Sequence, residues 1–179
     1  PEERLQKTLR QIGVLFQGSA LIGSMTVAEN VALPIAEFSD LPVDAVAAMV
    51  QIKLSLVGLA PYADHLPSEI SGGMKKRAGL ARALALNPDI LFLDEPSAGL
   101  DPVTAAEIDS LILHINRTLG TTIIIVTHDI ESIFALGQRT IMLDKMTRGI
   151  IAEGSPLQLR DQNPNPTVRN FFRRQPADK

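Results

Sequence analysis

Residues 89–102 read DILFLDEPSAGLDP. Four apolar residues, Ile90 to Leu93, run straight into an acid pair, Asp94 and Glu95, and Pro96 stops the run. The pattern is a short buried strand whose C-terminal tip carries carboxylates. In open α/β sheets that tip faces the crevice where ligands bind. A strand held rigid by burial can aim Asp94 at Mg²⁺, directly or through water, opposite nucleotide phosphates. Glu95, one residue on, faces the other side of the tip, where it can polarise an attacking water. For the pair taken alone, two acids simply solvated at a strand end is the competing reading.

Working outward, two more apolar runs end in polar groups. TTIIIV at 121–126 is continuous, apolar and β-branched, the mark of a strand buried on both faces, and Thr127-His128-Asp129 closes it. A neighbouring parallel strand would bring His128 to the same crevice, where an imidazole can hydrogen-bond a γ-phosphate. IGVLF at 12–16 reads as a third strand. It ends at Gln17, whose neutral amide can reach the metal or the water. A lone His or Gln is usually a surface or satisfied core residue; polar groups at all three tips are hard to assign to chance. Ser71-Gly72-Gly73 opens a strong helix, MKKRAGLARALAL at 74–86. Free N–H groups and the macrodipole at a helix start favour an anion. Ser71 adds a hydroxyl donor, and Lys75, Lys76 and Arg77 add positive charge. A plain N-cap on a surface helix is the alternative.

The rest of the chain supplies the frame. Residues 2–10 read as a short helix, 18–24 as a loop, and VAENVAL followed by VDAVAAMVQIKLSLVGL as helices broken at Leu41-Pro42. After Asn87-Pro88 the text alternates strand and helix: 90–93, then 103–119 with Ile108, Leu111, Ile112 and Ile115 on one face, then 121–126. A helix over 129–136 and a hairpin from 140–143 and 149–152 follow. The middle, about 21–86, is therefore a helical region interrupting an α/β layer with parallel strands. The expected organisation is 1–20 with 87–162 as the α/β core, 21–86 as the helical subdomain and 163–179 as a tail.

Composition excludes several classes. Net charge is −3, so no global basic field invites nucleic acid, and aromatics at 4% with no Trp argue against a stacking platform for single strands. Without Cys there is no disulfide framework or thiolate metal site, which fits a reducing cytoplasmic home. No apolar stretch reaches the ~18–20 residues that span a bilayer. The chain begins at Pro1 inside a charged segment, as an excerpt of a longer protein would.

Together, Gln17 after a strand, ISGGMKKR at 70–77, ILFLDEP at 90–96, SAGLD at 97–101 and VTHD at 126–129 resemble the Q-loop, signature, Walker B, D-loop and H-loop of an ABC ATPase, in order and spacing. Within that family, VLFQGSAL, TVAENVALP, SGGM with KKRAGLARAL and the tail NPNPTVRNFF resemble the ATPases of the Mla/Mce-type lipid-transport (toluene-tolerance) group. The resemblance implies a P-loop NTPase (RecA-like) core with an inserted α-helical subdomain, truncated at the N-terminus. It implies ATP and Mg²⁺ as cofactors. Catalytic roles fall to Glu95, His128 and Gln17, metal binding to Asp94 and Gln17, and nucleotide contact to Ser71, Gly72, Gly73 and Asp101. Ile70 and Met74 stand where many members have Leu and Gln; the SGG core is intact.

A larger departure concerns the phosphate loop. Gly18 and Gly23 have the interval of G-x-x-x-x-G, yet Ser24-Met25 follows instead of Lys-Ser/Thr, and no Gly-Lys dipeptide occurs in the chain. That stretch is a decoy, and the resemblance implies a P-loop upstream of Pro1. This segment alone is then expected to bind Mg·ATP weakly and to be nearly inactive. The parent is expected to be a homodimer in which each SGG segment covers the nucleotide of its partner, with Gly99 and Asp101 along the interface. Expected partners are membrane permease subunits, contacted by the helical region, with lipid-binding and regulatory subunits and no nucleic acid. Val27, Val31, Leu33 and Met25 in that region have packing as the rival reading. The expected location is peripheral, at the cytoplasmic face of the inner membrane. Val168, Phe171 and Phe172 form a stripe that either docks on a second subunit or belongs to a frayed amphipathic end. Alternative functions are the ATPase of another importer or exporter, and a non-catalytic interaction module.

Overall fold

The computed structural model describes residues 2–176; Pro1 and residues 177–179, the end of the expected tail, lie outside the described residues. The chain forms two compact units, residues 1–127 and 128–179.

In the first unit, α1 (Glu2–Arg10) leads into β1 (Ile12–Leu15), then α2 (Val27–Phe38), α3 (Val43–Leu56) and two 3₁₀ turns. α4 (Gly72–Ala83), β2 (Ile90–Asp94), α5 (Pro102–Leu119) and β3 (Thr122–Val126) follow. The strands form a parallel sheet in the order β1-β2-β3, with Leu15 beside Leu93 and Asp94 beside Val126. All three C-terminal ends therefore lie at one rim. Parallel strands joined through helices are what the alternating pattern after Asn87 implies.

The two faces of this sheet differ. Leu15, Leu91 and Leu93 are no more than 1% exposed. On the other face Val14 pairs with Phe92 and Phe92 with Ile124, a row 37–42% exposed, flanked by Phe16 and Val126. β3 is thus not buried on both faces, as its β-branched run suggests. It pairs only with β2 among the described residues, and its side chains alternate between exposed and half-buried. A β-branched run reports a fit to extended backbone, not which neighbours cover it.

α4 lies along β1, running in the opposite direction. A Cβ added at Gly13 would sit 2.3 Å from the Ala83 carbonyl oxygen, so strand and helix backbones touch there. At Gly79 a Cβ would lie 2.7 Å from Leu15 Cδ1 and 3.1 Å from Ser19 Cβ. α4 also starts and stops earlier than 74–86: Gly72 and Gly73 are helical, and Leu84 is the C-cap. The helical layer shares one core, with Val27, Val31 and Ile35 of α2, Val50 and Leu54 of α3, and Ala78 and Ala81 of α4. Val27 and Val31 are fully buried in it, whereas Leu33 is exposed. α2 opens on a capping box: Thr26 Oγ1 accepts from Glu29 N and Glu29 Oε2 accepts from Thr26 N. It continues through Pro34, and Ile35 beyond it is fully buried.

The second unit comprises α6 (Ile130–Leu136), the antiparallel hairpin β4 (Thr140–Asp144) and β5 (Gly149–Gly154), α7 (Pro156–Asp161) and α8 (Pro166–Arg173). Its core joins Ile133, Ala152, Leu159, Val168 and Phe172, with Phe171 packed against them. The Val168/Phe171/Phe172 stripe therefore turns inward within its own unit and is not a frayed end. Asn165 caps α8 by accepting from Thr167 N, and Pro166 at the first helical position pre-sets its φ.

Candidate functional site

The site is built where β1 and β2 end. Asp94 is the last residue of β2 and exposed. Glu95 then takes φ +47°, a left-handed conformation that non-glycine residues adopt at a cost of order 1–3 kcal/mol and keep only when their surroundings hold them there. Four contacts do so. Glu95 N donates to Val126 O at 2.9 Å, and its carbonyl accepts from Ala98 N at 3.2 Å and from Lys76 Nζ at 2.8 Å. Its carboxylate Oε2 accepts from Thr127 Oγ1 at 3.2 Å. The acid is thus fixed by backbone and side chain at once.

Gln17 lies two residues past β1, exposed, and its carbonyl accepts from Lys76 Nζ at 2.5 Å. The turn beyond it carries two more left-handed residues, Ser19 and Ala20, whose carbonyls accept from Arg82 at 2.8 Å each. Lys76, Gly79 and Arg82, spaced i, i+3 and i+6, form the face of α4 that meets this segment. Lys76 is 6% exposed. Burial pulls its pKa below the ordinary lysine value, while the charges of Glu95 and then Asp94 push back.

α4 opens at the same rim. Lys76 sits at the strand tips, so Gly72 lies about 6 Å further along the helix axis. Ser71 caps the helix, its Oγ accepting from Met74 N at 3.3 Å. Gly73 has a packing reason as well: a Cβ there would meet Thr104 Cγ2 of α5 at 2.6 Å. The three consecutive basic residues do not gather at the helix start. Arg77 pairs with Glu107 at 2.9 Å, and Lys76 points into the strand tips. Successive helix positions are about 100° apart, so three in a row cannot share one direction.

Asp101 is the N-cap of α5. It accepts from Val103 N and Thr104 N at 3.1 Å and from Thr104 Oγ1 at 2.5 Å. The Thr104 hydroxyl, then the Thr104 amide, hold its carboxyl below the usual carboxylate range. Gly99 adopts φ +79° in the turn before it, a conformation that suits glycine. His128 follows Thr127 directly in the chain and opens the second unit, and Asp129 caps α6 by accepting from Glu131 N. The G-SALI-G stretch runs through turns, and the next helix starts only at Val27. The structure thus brings Gln17, Asp94 and Glu95 together with Thr127 and Lys76. Reading the sequence alone marks Thr127 only as a strand end, and it passes over Arg82 and the use made of Lys76. No residue pattern marks Lys76, because its partners are backbone carbonyls.

The sequence model of the ABC transporter family matches residues 1–98, just over half of the chain. The chain is 41% identical over 170 residues to the intermembrane phospholipid transport system ATP-binding protein MlaF of Escherichia coli (strain K12), covering 94% of this chain and 62% of that protein. It is 40% identical over 167 residues to the methionine import ATP-binding protein MetN of Brucella abortus (strain 2308), covering 93% and 44%. Among solved structures, cbiO1 from Clostridium perfringens, part of the ABC transporter complex cbiONQ, superposes with a TM-score of 0.81 at 30% identity over 90% of this chain and 64% of that one. A dimeric post-hydrolysis state of the ATP-binding cassette MJ0796 bound to ADP and Pi gives 0.75 at 33% identity over 87% and 67%. The chain spans less than two thirds of the length of the curated relatives it matches. On the family match and on this likeness to solved cassettes, the chain belongs to the ABC transporter family and has the α/β fold of its ATP-binding cassettes.

Proposed function

We propose that the full-length protein carrying this segment is the ATP-hydrolysing subunit of an ABC transporter for phospholipid or another hydrophobic substrate. The observation that carries the reading is the shared rim: adjacent parallel strands deliver Gln17, Asp94 and Glu95 to one end of the sheet, where α4 also opens. The likeness to MlaF supports the substrate class. A second reading, the ATPase of a different importer, is favoured by the 40% identity to MetN.

In this reading Asp94 and Gln17 hold Mg²⁺. Among the described residues no group of three His, Cys, Asp or Glu could cage a metal. Mg²⁺ bound with a nucleotide does not need a cage, since one or two carboxylates suffice and water and phosphate oxygens complete the set. An exposed Asp94 at a rigid tip fits that requirement. Such an ion would neutralise charge developing on the phosphates. Glu95, with its backbone pinned and its carboxylate steadied by Thr127, orients and polarises the attacking water. His128, one residue beyond Thr127, bonds the γ-phosphate. Ser71, Gly72 and Gly73 at the start of α4 meet the nucleotide held by a second copy, closing a two-fold dimer. Gly99 and Asp101 line that interface, where the Asp101 cap keeps the turn rigid. The G-x-x-x-x-G-K-[ST] loop absent from these residues belongs to the remainder of the full-length protein. In this reading the helical subdomain, 21–86, meets the permease at the cytoplasmic face of the membrane. No helix among the described residues is long and apolar enough to cross a membrane.

The test is made in the full-length protein. Glu95→Gln keeps Mg·ATP binding in an equilibrium titration and lowers phosphate release by about 10²-fold or more. His128→Ala cripples release while leaving thermal unfolding near that of the parent. Hydrolysis at the parent rate by Glu95→Gln removes Glu95 as the base.

A further inference from the structure

Lys76 makes contacts that no simple surface cation makes. It is 6% exposed, and its ammonium spans two chain segments far apart in sequence, bonding the Gln17 carbonyl at 2.5 Å and the Glu95 carbonyl at 2.8 Å. One of these residues is held at positive φ, and the other leads into Ser19 and Ala20, both also at positive φ. Left-handed backbone at non-glycine residues persists only where neighbours over-determine it. Arg82, two turns along the same helix face, clamps the Ser19 and Ala20 carbonyls. Gly79 between them lets Leu15 and Ser19 come into contact with the helix. One face of α4 is therefore fastened to the loop after β1, and through Lys76 alone among these residues also to the tip of β2.

We infer that Lys76 is the positioning residue of this site: its bonds to the Gln17 and Glu95 carbonyls make the helix that opens at Ser71–Gly73 and the two acting strand tips move as one body. The inference rests on the ATPase reading for its consequence in catalysis, and on geometry alone for the tie. A helix start that meets one nucleotide is, through Lys76, mechanically joined to the Gln17 and Glu95 that meet another. The ammonium touches no reacting atom. It sets where Glu95 points, and small misplacements of a catalytic group are expensive in rate.

The experiment compares full-length Lys76→Met, Lys76→Arg and Glu95→Gln with the parent. Met keeps the volume of the stem and removes the donors; Arg keeps donors for both carbonyls. Lys76→Met is expected to lower kcat by about tenfold to a hundredfold with KM for Mg·ATP within about twofold, and Lys76→Arg to recover most of the loss. Lys76→Met added to Glu95→Gln lowers kcat little further, because both act through one group. Amide exchange reads the tie without reference to hydrolysis. In Lys76→Met the amides of Glu95, Ala98 and Ser19 exchange faster together, while those in the middle of α5 do not change. Parent-like kcat in Lys76→Met overturns the inference. So does unchanged exchange at both tips, or equal loss in the Met and Arg variants with a common fall in melting temperature. A full-length protein that hydrolyses no ATP, yet shows the exchange change, sinks the ATPase reading and leaves the tie standing.

Discussion

The two faces of the β1-β2-β3 sheet are built from the same kinds of residue and end in opposite states. On one, Leu15, Leu91 and Leu93 are sealed, and the backbone of α4 touches β1 at Gly13. On the other, Val14, Phe16, Phe92, Ile124 and Val126 stand exposed in a contiguous apolar row. Parallel sheets in α/β proteins are covered on both sides. The sealed face fixes the strand tips from below through α4, and the open face is where we propose that the rest of the full-length protein, with its phosphate loop, packs. The difference teaches that the strand tips are held from one side of the sheet, through α4, while the other side carries no covering layer among the described residues.

Substitutions in the full-length protein can break or sharpen this contrast. The largest effect is expected at Gly13→Ala, because the new Cβ would meet a carbonyl oxygen of the backbone and not a movable side chain. A loss of about 3 kcal/mol or more in denaturant unfolding is expected. Leu93→Ala on the sealed face should cost about 2–5 kcal/mol. Ile124→Thr, on the open row, is the sharper probe. If that row is covered in the full-length protein, a buried hydroxyl without a partner costs about 1–3 kcal/mol. No change would show the row to be free and would contradict the proposed packing.

The smallest effect concerns acid. The carboxyl of Asp101 is held below its ordinary pKa by Thr104, so its cap contributes stability above the unfolded-state pKa of about 4 and loses it as pH falls through the lower folded value. Asp101→Asn keeps a capping oxygen but does not titrate. Its melting temperature should fall less than that of the parent between neutral pH and the acid range, and parallel curves would show that the cap is uncoupled from the proton.

How much of this was legible in the sequence follows from the kind of signal each part leaves. The strand tips were legible because an apolar run ending in Asp94-Glu95, at Gln17 or at Thr127 is a local pattern. The start signal at Ser71 is local as well, since a cap and its helix are neighbours in sequence. The exposure of β3 was not legible: TTIIIV has the same letters whether or not a layer lies over it. Neither was the fate of Lys76 and Arg77, where charge count suggested one patch with Lys75 and helical rotation sent the two side chains to different partners. The stripe in α8 showed its amphipathic character but not that Leu159 and Ile133 of the same unit would take it up. Lys76 was the costliest omission, because its partners are backbone carbonyls, which no residue pattern encodes.

We propose that one rim of the sheet serves a metal–nucleotide complex. This is tested most directly by locating Mn²⁺ by its anomalous signal in crystals of full-length Glu95→Gln grown with Mn·ATP. A peak is expected at the carboxyl ends of β1 and β2, joined to the Asp94 carboxylate directly at about 2 Å or through one water. A metal and nucleotide bound away from Asp94 and Gln17, with the rim open to solvent, would contradict it.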